Sequence, residues 1–350
     1  MIRVVLAEDS ETCRQLLTAV LEADGELRIV GHASDGLAAV TMTEALRPNV
    51  VVMDAHMPVM DGFMATRQIM LQCPTPIVIV SATMDLASVA ASMRALEAGA
   101  LTLLPKPGGP ADPCFEEHAR AFTNTVRAMA DVKVVRRWHG IVAPVSLVMD
   151  PVDPRRRVRV IGVGASTGGP AALQRILSDL PGRLPVPVLV VQHIAEGFLE
   201  GLTTWLETVT SFRVKVAEQG EMPQAGCVYF APDFHHLAVG RDGSIDLTQR
   251  VPVSGFVPSA TVLFESLAEV YGASAVGMIL TGMGQDGVKG LVALRRVGAT
   301  VIAQDEETSV VFGMPKAAVD AGLTTMVLPL PLIAARLAQL SRVEGNRGRA

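Results

Sequence analysis

Aromatic residues, cysteines and clusters of basic residues are all scarce in this chain of 350 residues. Aromatics make up 4% of the residues, and the four cysteines lack the spacing of metal ligands, which predicts reduced thiols in a cytoplasmic protein. The net charge is −5, so nucleic acid is not expected as a partner. No apolar run is long enough to span a bilayer, and the first residues already have a strand pattern. Neither membrane insertion nor a signal peptide is therefore expected.

Hydrophobic residues (49%) and glycines (31) are abundant instead. Apolar segments of strand length alternate with segments of helical spacing in both halves of the chain, which predicts an α/β fold with parallel sheets. The length allows two domains. We predict a first domain over residues 1–125, a connector over 126–157, a second domain over 158–340 and a polar tail over 341–350.

Polar side chains end the predicted strands of the first domain. Glu8 and Asp9 follow the first strand, Asp54 the third, Ser81 the fourth and Lys106 the fifth. Functional sites of such sheets lie outside the carboxyl ends of the strands, so these five side chains are expected to meet. Clustered carboxylates suit Mg²⁺, an aspartate can accept a phosphoryl group, and a lysine can pair with the phosphate.

A glycine-rich turn follows the apolar segment 158–163 in the second domain. A helix is predicted to begin near Gly169 or Pro170, so Ser166 stands at a tight turn beside a helix N-terminus and is a candidate nucleophile. Two alternatives remain open at this point. Serine is an ordinary helix cap, and the glycines resemble a dinucleotide-binding turn, although His193 stands where that site needs an acid.

Two further polar residues follow predicted strands of the second domain. His193 follows one of these strands and Asp286 another, so both can converge with Ser166 at the carboxyl edge of one sheet. There His193 can act as general base and acid, with Asp286 holding its tautomer. Backbone N–H groups near Ser166 and Met283 can stabilise an oxyanion.

His235 and His236 are the alternative base. They open a segment that turns back at Asp242-Gly243, a hairpin signal that predicts a small antiparallel flap. Because a flap lies off the parallel edge, these two histidines are less suited to act on Ser166.

The first half resembles response-regulator receiver domains, through Glu8-Asp9, Asp54, Met57-Pro-Val-Met-Asp-Gly62, Ser81-Ala82 and Lys106-Pro107. This resemblance implies a flavodoxin-like receiver in which Asp54 is the phosphoacceptor and a sensor histidine kinase the phosphodonor. It implies that Glu8, Asp9 and Asp54 bind Mg²⁺. Ser81 would be the switch hydroxyl, and Lys106 would contact the phosphate ahead of a cis Pro107.

The second half resembles the catalytic domain of the chemotaxis protein-glutamate methylesterases, the CheB family. The segments that carry the resemblance include Gly164-Ala-Ser-Thr-Gly-Gly-Pro170, Gln192-His193, Leu280-Thr-Gly-Met-Gly-Gln-Asp286 and Val311-Phe-Gly-Met-Pro-Lys316. The resemblance implies a doubly wound α/β domain with the triad Ser166, His193 and Asp286 and no cofactor at the esterase site. It also implies an oxyanion contact from Met283 and support of the histidine by Thr167.

The implied function is hydrolysis of glutamate methyl esters, and deamidation of glutamines, on chemoreceptors, with the unphosphorylated receiver inhibiting the esterase. Two positions depart from the family pattern, Val257 where arginine is usual and Thr261 where an acid is usual. Our hypothesis is that these departures alter receptor recognition. A regulatory docking module is therefore the alternative function. A transcription factor is disfavoured because the second half has no helix-turn-helix pattern.

Overall fold

A computed structural model of the chain describes residues 1–23, 25–81, 99–132, 157–180, 184–248 and 251–341. Apolar residues at helical spacing predict a helix over 86–98 as well. This segment, most of the predicted connector and the tail beyond residue 341 lie outside the described residues. The chain divides into two compact units, Met1–Ala143 and Pro144–Ala350.

The first unit contains a five-stranded parallel sheet in the order β2-β1-β3-β4-β5, which confirms the predicted flavodoxin-like fold. Its described elements are β1 (Ile2–Ala7), α1 (Glu11–Glu22), β2 (Leu27–Ala33), α2 (Gly36–Leu46), β3 (Val50–Asp54), α3 (Gly62–Gln72), β4 (Ile77–Ser81), β5 (Thr102–Pro105) and α4 (Phe115–Ala130).

Three helices of this unit begin directly after the loops at the carboxyl edge of the sheet. Ser10 accepts a hydrogen bond from the backbone N–H of Cys13, and Asp35 accepts one from that of Ala38. Asp61 caps the third helix in the same way. Such caps satisfy backbone donors that a helix start leaves without partners, and they keep the strand-to-helix connections short.

The second unit contains a seven-stranded sheet in the order β14-β13-β12-β6-β7-β9-β8, parallel throughout, and an antiparallel hairpin of β10 and β11. Its described elements are β6 (Val160–Ala165), α5 (Gly169–Asp179), β7 (Val188–Gln192), α6 (Leu199–Val209), β8 (Arg213–Val216), β9 (Cys227–Phe230), β10 (His236–Val239), β11 (Ile245–Thr248), α7 (Ala260–Tyr271), β12 (Ala275–Ile279), α8 (Val288–Arg296), β13 (Thr300–Gln304), α9 (Met314–Asp320), β14 (Met326–Leu328) and α10 (Leu330–Ser341).

The central strands of this sheet are buried at every residue, as expected for a parallel sheet covered by helices on both faces. The doubly wound fold and the small flap are thus confirmed. Because β12, β6 and β7 are neighbours, the loops after them emerge side by side at one edge. These loops carry Asp286, Ser166 and His193 respectively.

Some elements escaped prediction, and one implied feature is wrong. The strands β8 and β14, of four and three residues, are too short to show a period, and the helices α9 and α10 were not predicted either. The bond before Pro107 is trans, since Val257–Pro258 is the cis peptide bond among the described residues.

Candidate active site

Ser166 follows β6 and is held through its backbone. Its N–H donates to the carbonyl of Thr281 (3.1 Å). Its carbonyl oxygen accepts from the N–H of Gly169 (2.8 Å) and from Nε2 of Gln192 (2.8 Å). The hydroxyl has no hydrogen bond to any described residue. The backbone is therefore fixed while the hydroxyl is left available at the start of α5.

The loop after β12 passes directly against this serine. A Cβ atom added to Gly282 would lie 2.6 Å from Cβ of Ser166 and 2.6 Å from Sδ of Met314, so the approach requires glycine. Within the described part of the chain, the N–H groups of Thr167 and Met283 have no acceptor. Thr167 directly follows the serine and Met283 directly follows Gly282, so each of these free backbone donors is adjacent in sequence to a residue of this close contact. Free backbone N–H groups of this kind can stabilise an oxyanion.

His193 lies on the neighbouring strand end. Its backbone N–H donates to the carbonyl of Ala165 (2.9 Å), and its carbonyl accepts from Gln192 Nε2 (2.8 Å). In the side chain, Nε2 lies 3.0 Å from Oδ2 of Asp286. The other ring nitrogen, Nδ1, is buried and has no hydrogen-bond partner among the described residues.

Asp286 is the buried end of this pair, with 1% of its surface exposed. Six donors contact the carboxylate at the N-terminus of α7: His193 Nε2 (3.0 Å), Ser259 Oγ (2.6 Å), Ala260 N (2.6 Å), Thr261 N (3.4 Å), Thr261 Oγ1 (3.1 Å) and Gly287 N (2.8 Å). Burial alone would raise the pKa of Asp286, but the hydrogen bonds from His193, Ser259 and Ala260 outweigh it and lower the pKa to about 2.

The ionised Asp286 carboxylate fixes the tautomer of the imidazole. Because a carboxylate only accepts hydrogen bonds, Nε2 of His193 carries the proton and Nδ1 keeps a lone pair. Nδ1 is then the nitrogen available to take a proton from a nucleophile. No hydrogen bond joins Ser166 to His193 in this structure, and none joins the Thr167 hydroxyl to His193. Support of the histidine by Thr167 stays a prediction.

Residues that the sequence did not single out as a site complete this arrangement. Gln192 links the carbonyls of Ser166 and His193 through one amide group. Ser259 caps α7 and also binds Asp286, and the Pro-Ser-x-Thr start of an apolar helical run is a cap signal that pointed to it. Thr261 is 2% exposed and bonded to Asp286, so its departure from the family pattern lies inside the domain and not on a recognition surface.

His235 and His236, the alternative bases, form hydrogen bonds with backbone groups. His236 is 3% exposed; its Nε2 pairs with the carbonyl of Val251 (2.9 Å), and its Nδ1 accepts from the N–H of Ser259 (3.1 Å). His235 pairs through Nδ1 with the carbonyl of Asp233 (3.0 Å). Neither ring is placed against Ser166 by any contact, and both nitrogens of His236 are in use.

In the first unit, the predicted polar residues also meet at one edge. The ligand atoms of Glu8, Asp9 and Asp54 lie within 4.8 Å of one another. Lys106 Nζ lies 2.6 Å from Oε2 of Glu8 and 2.9 Å from Oδ2 of Asp54. Ser81 ends β4, is buried, and its carbonyl accepts from the N–H of Lys106 (3.0 Å).

Charge at this edge is incompletely balanced. Burial raises the pKa of Glu8, and the nearby Asp54 adds to the rise, although Lys106 opposes it. Burial would lower the pKa of Lys106, but its hydrogen bonds to Glu8 and Asp54 raise it. Three carboxyl groups around one ammonium leave an excess of negative charge on oxygen ligands, and this donor set fits a hard divalent cation.

Comparison with known proteins is consistent with both sites. Residues 161–337 match the sequence pattern of the CheB methylesterases, and residues 4–113 match that of the response regulator receiver domain. The chain is 49% identical over 348 residues to protein-glutamate methylesterase/protein-glutamine glutaminase 4 of Myxococcus xanthus, covering 99% of this chain and 98% of that protein.

A second curated relative matches nearly the whole chain, and a solved structure matches its second half. Protein-glutamate methylesterase/protein-glutamine glutaminase 3 of Anaeromyxobacter dehalogenans is 51% identical, covering 97% of this chain and 98% of that protein. The crystal structure of the Thermotoga maritima CheB methylesterase catalytic domain is 38% identical with a TM-score of 0.51, covering 52% of this chain and 98% of that one. Among the described residues, no helix combines the length and apolar character that crossing a membrane requires.

Proposed function

The chain belongs to the CheB methylesterase family, and on that premise we propose that it is a protein-glutamate methylesterase and protein-glutamine glutaminase controlled by phosphorylation. Its substrates are glutamate methyl esters and certain glutamines on the cytoplasmic parts of chemoreceptors. We assign the receiver to residues 1–125 and the esterase to residues 158–340. The family matches at 4–113 and 161–337 support this division.

The esterase reaction follows from the three side chains at the edge of the second sheet. The hydroxyl oxygen of Ser166 attacks the ester carbonyl carbon as its proton passes to Nδ1 of His193. The N–H groups of Thr167 and Met283 bind the oxyanion that forms. Collapse of the tetrahedral intermediate expels methanol, which takes the proton from the imidazolium, and leaves an acyl-serine.

Water completes the cycle. His193 removes a proton from a water molecule, the hydroxide attacks the acyl carbon, and the proton returns to the Ser166 oxygen as glutamate leaves. Asp286 stabilises the imidazolium in both halves of the reaction, since its pKa of about 2 keeps the carboxylate ionised at neutral pH. The hydrogen bond between His193 and the buried Asp286, at the edge that also carries Ser166, is the observation on which the proposed mechanism rests.

Control comes from the receiver. We assign Asp54 as the phosphoacceptor, with a sensor histidine kinase as donor, Glu8, Asp9 and Asp54 as the Mg²⁺ ligands, and Ser81 and Lys106 as contacts of the phosphoryl group. Bound Mg²⁺ would neutralise phosphoryl oxygens as the acyl phosphate forms. Phosphorylation then shifts the receiver from an inhibiting to a permissive state.

Methanol release from methylated receptor membranes tests the proposal. We expect the wild type to release methanol, and Ser166→Ala to lower the rate by about 10⁶-fold. A small phosphodonor with Mg²⁺ raises the wild-type rate, and Asp54→Asn abolishes that response. If wild type and Ser166→Ala are equally inactive on these membranes, the docking-module alternative is favoured.

A further inference from the structure

A phenyl ring covers one face of the His193 imidazole. The ring centroids of His193 and Phe256 are 4.4 Å apart, and the ring planes differ by 4°, which is a stacked arrangement. A Cβ atom added to Gly284 would lie 4.0 Å from Cζ of Phe256, so the ring also reaches the loop that carries Met283. Phe256 thus contacts the base at the proposed site, although neither its position nor its chemistry marks it in the sequence.

A rigid turn presents this phenyl ring. Val253 and Phe256 exchange two backbone hydrogen bonds of 3.1 Å, and the two residues between them, Ser254 and Gly255, have φ angles of 55° and 87°. Two consecutive positive φ angles are typical of the tight hairpin turn that matches strand twist. The turn is therefore a defined structure and not an open loop.

His236 anchors the two ends of the same segment. Its Nε2 pairs with the carbonyl of Val251 before the turn, and its Nδ1 accepts from the N–H of Ser259 after it. Ser259 in turn binds the Asp286 carboxylate. One short segment thus supplies both the ring that stacks on His193 and the groups that hold its acidic partner.

The stack provides a constraint that Asp286 cannot. A single hydrogen bond at Nε2 fixes one end of the imidazole but leaves the ring free to tilt about that bond. Nδ1, the nitrogen that must face Ser166, has no hydrogen bond to a described residue to hold it. A flat aromatic contact restricts the tilt because the two rings lose contact area and favourable offset geometry when they are no longer parallel.

We infer that Phe256 is a positioning residue for the esterase: it fixes the plane of His193 so that Nδ1 points at the Ser166 hydroxyl. This inference rests on the proposed function, since it assigns a role within the same reaction. Phe256 itself transfers no proton and forms no bond with the substrate. Its contribution is to keep His193 in the geometry that proton transfer needs. Removing this contribution is expected to lower kcat more than it changes KM.

The test compares Phe256→Leu, Phe256→Tyr and the control Val251→Ala in the full chain. Val251 lies in the same segment and is 68% exposed. For Phe256→Leu we expect kcat for methanol release to fall about 10- to 100-fold, the cost of a misplaced catalytic group, with little change in KM. Phe256→Tyr keeps the ring and restores most of the rate, and Val251→Ala stays near wild type. Thermal melting of each variant identifies any that fails to fold.

Two readouts separate this inference from the proposed function. In spectra of histidine-labelled protein, the His193 ring protons of the wild type and of Phe256→Tyr carry a ring-current shift that Phe256→Leu loses. Labelling of Ser166 by a fluorophosphonate slows in Phe256→Leu by a factor similar to the fall in kcat. A wild type that releases no methanol overturns the proposed substrate, whereas a folded Phe256→Leu with wild-type kcat and labelling rate overturns the role of Phe256.

Discussion

The two units bury carboxylates in opposite ways. Asp286 is the one carboxylate among six hydrogen-bond donors, and those from His193, Ser259 and Ala260 lower its pKa to about 2. In the first unit, Glu8 is fully buried beside Asp54 with one lysine between them, and burial raises its pKa. One carboxylate has its hydrogen bonds satisfied within the fold, while the other belongs to a cluster that is short of positive charge.

This difference indicates different tasks. A carboxylate with every oxygen bonded has one charge state and one position, which suits a group that must orient an imidazole throughout a reaction. A cluster with surplus negative charge changes its energy strongly when a cation or phosphoryl group arrives, which suits a switch. We call Asp286 with its hydrogen-bond donors the fixed site, and Glu8, Asp9, Asp54 and Lys106 the responsive site. Three experiments test the difference between them.

The largest expected effect is on catalysis. Asp286→Asn replaces one carboxylate oxygen by an NH₂ group, which cannot accept a hydrogen bond from Nε2 of His193. The substitution therefore disfavours the His193 tautomer that keeps its lone pair on Nδ1. We expect the rate of methanol release to fall by about 10⁴-fold. Asp242→Asn, an exposed aspartate of the hairpin turn, is the matched control and keeps wild-type activity. An Asp286→Asn enzyme within tenfold of wild type would mean that the fixed site is not catalytic.

The next largest effect is on the pH dependence of the free energy of unfolding, measured with urea in the presence of EDTA. The pKa of Asp286 falls from 3.8 to about 2 on folding, so its contribution is present above about pH 4 and is lost as the pH falls toward 2. The shift corresponds to about 2 kcal/mol. The stability difference between wild type and Asp286→Asn therefore shrinks on acidification.

Glu8 is expected to show the opposite slope. Because folding raises its pKa above 4.5, Glu8 stabilises the fold most below that pH and loses this contribution as the pH rises through the folded value. The stability of wild type relative to Glu8→Gln therefore increases on acidification. Parallel pH slopes for Glu8→Gln and Asp286→Asn would remove the contrast between the two sites.

The smallest expected effect of a substitution is a change in the cation affinity of the responsive site. Mg²⁺ at about 100 times its Kd should stabilise the wild type by about 2.7 kcal/mol. Glu8→Gln removes one of three carboxyl groups, and we expect it to weaken Mg²⁺ binding at least about tenfold, as even loss of a supporting group does. Glu26→Gln, an exposed glutamate, is the control. A thermal shift with Mg²⁺ that is equal in all three proteins would place the cation elsewhere.

Much of both folds was predictable because strand and helix periods are local properties. The apolar segments that precede Glu8, Asp54, Ser166 and His193 are strands in the structure, and parallel pairing then brings their ends to one edge. The hairpin followed from Asp242-Gly243. Short strands such as β14 were missed because three residues show no period.

Local pattern alone thus determined which chemical groups stand at the strand ends. Only the tertiary structure decided which nitrogen of His193 faces Asp286, that Gln192 bridges the backbones of Ser166 and His193, and that Phe256 lies on the imidazole. The physical reason is distance along the chain. These contacts join residues that are far apart in sequence, or depend on side-chain rotamers, and they form only when the packed sheet and its loops fix where each group lies.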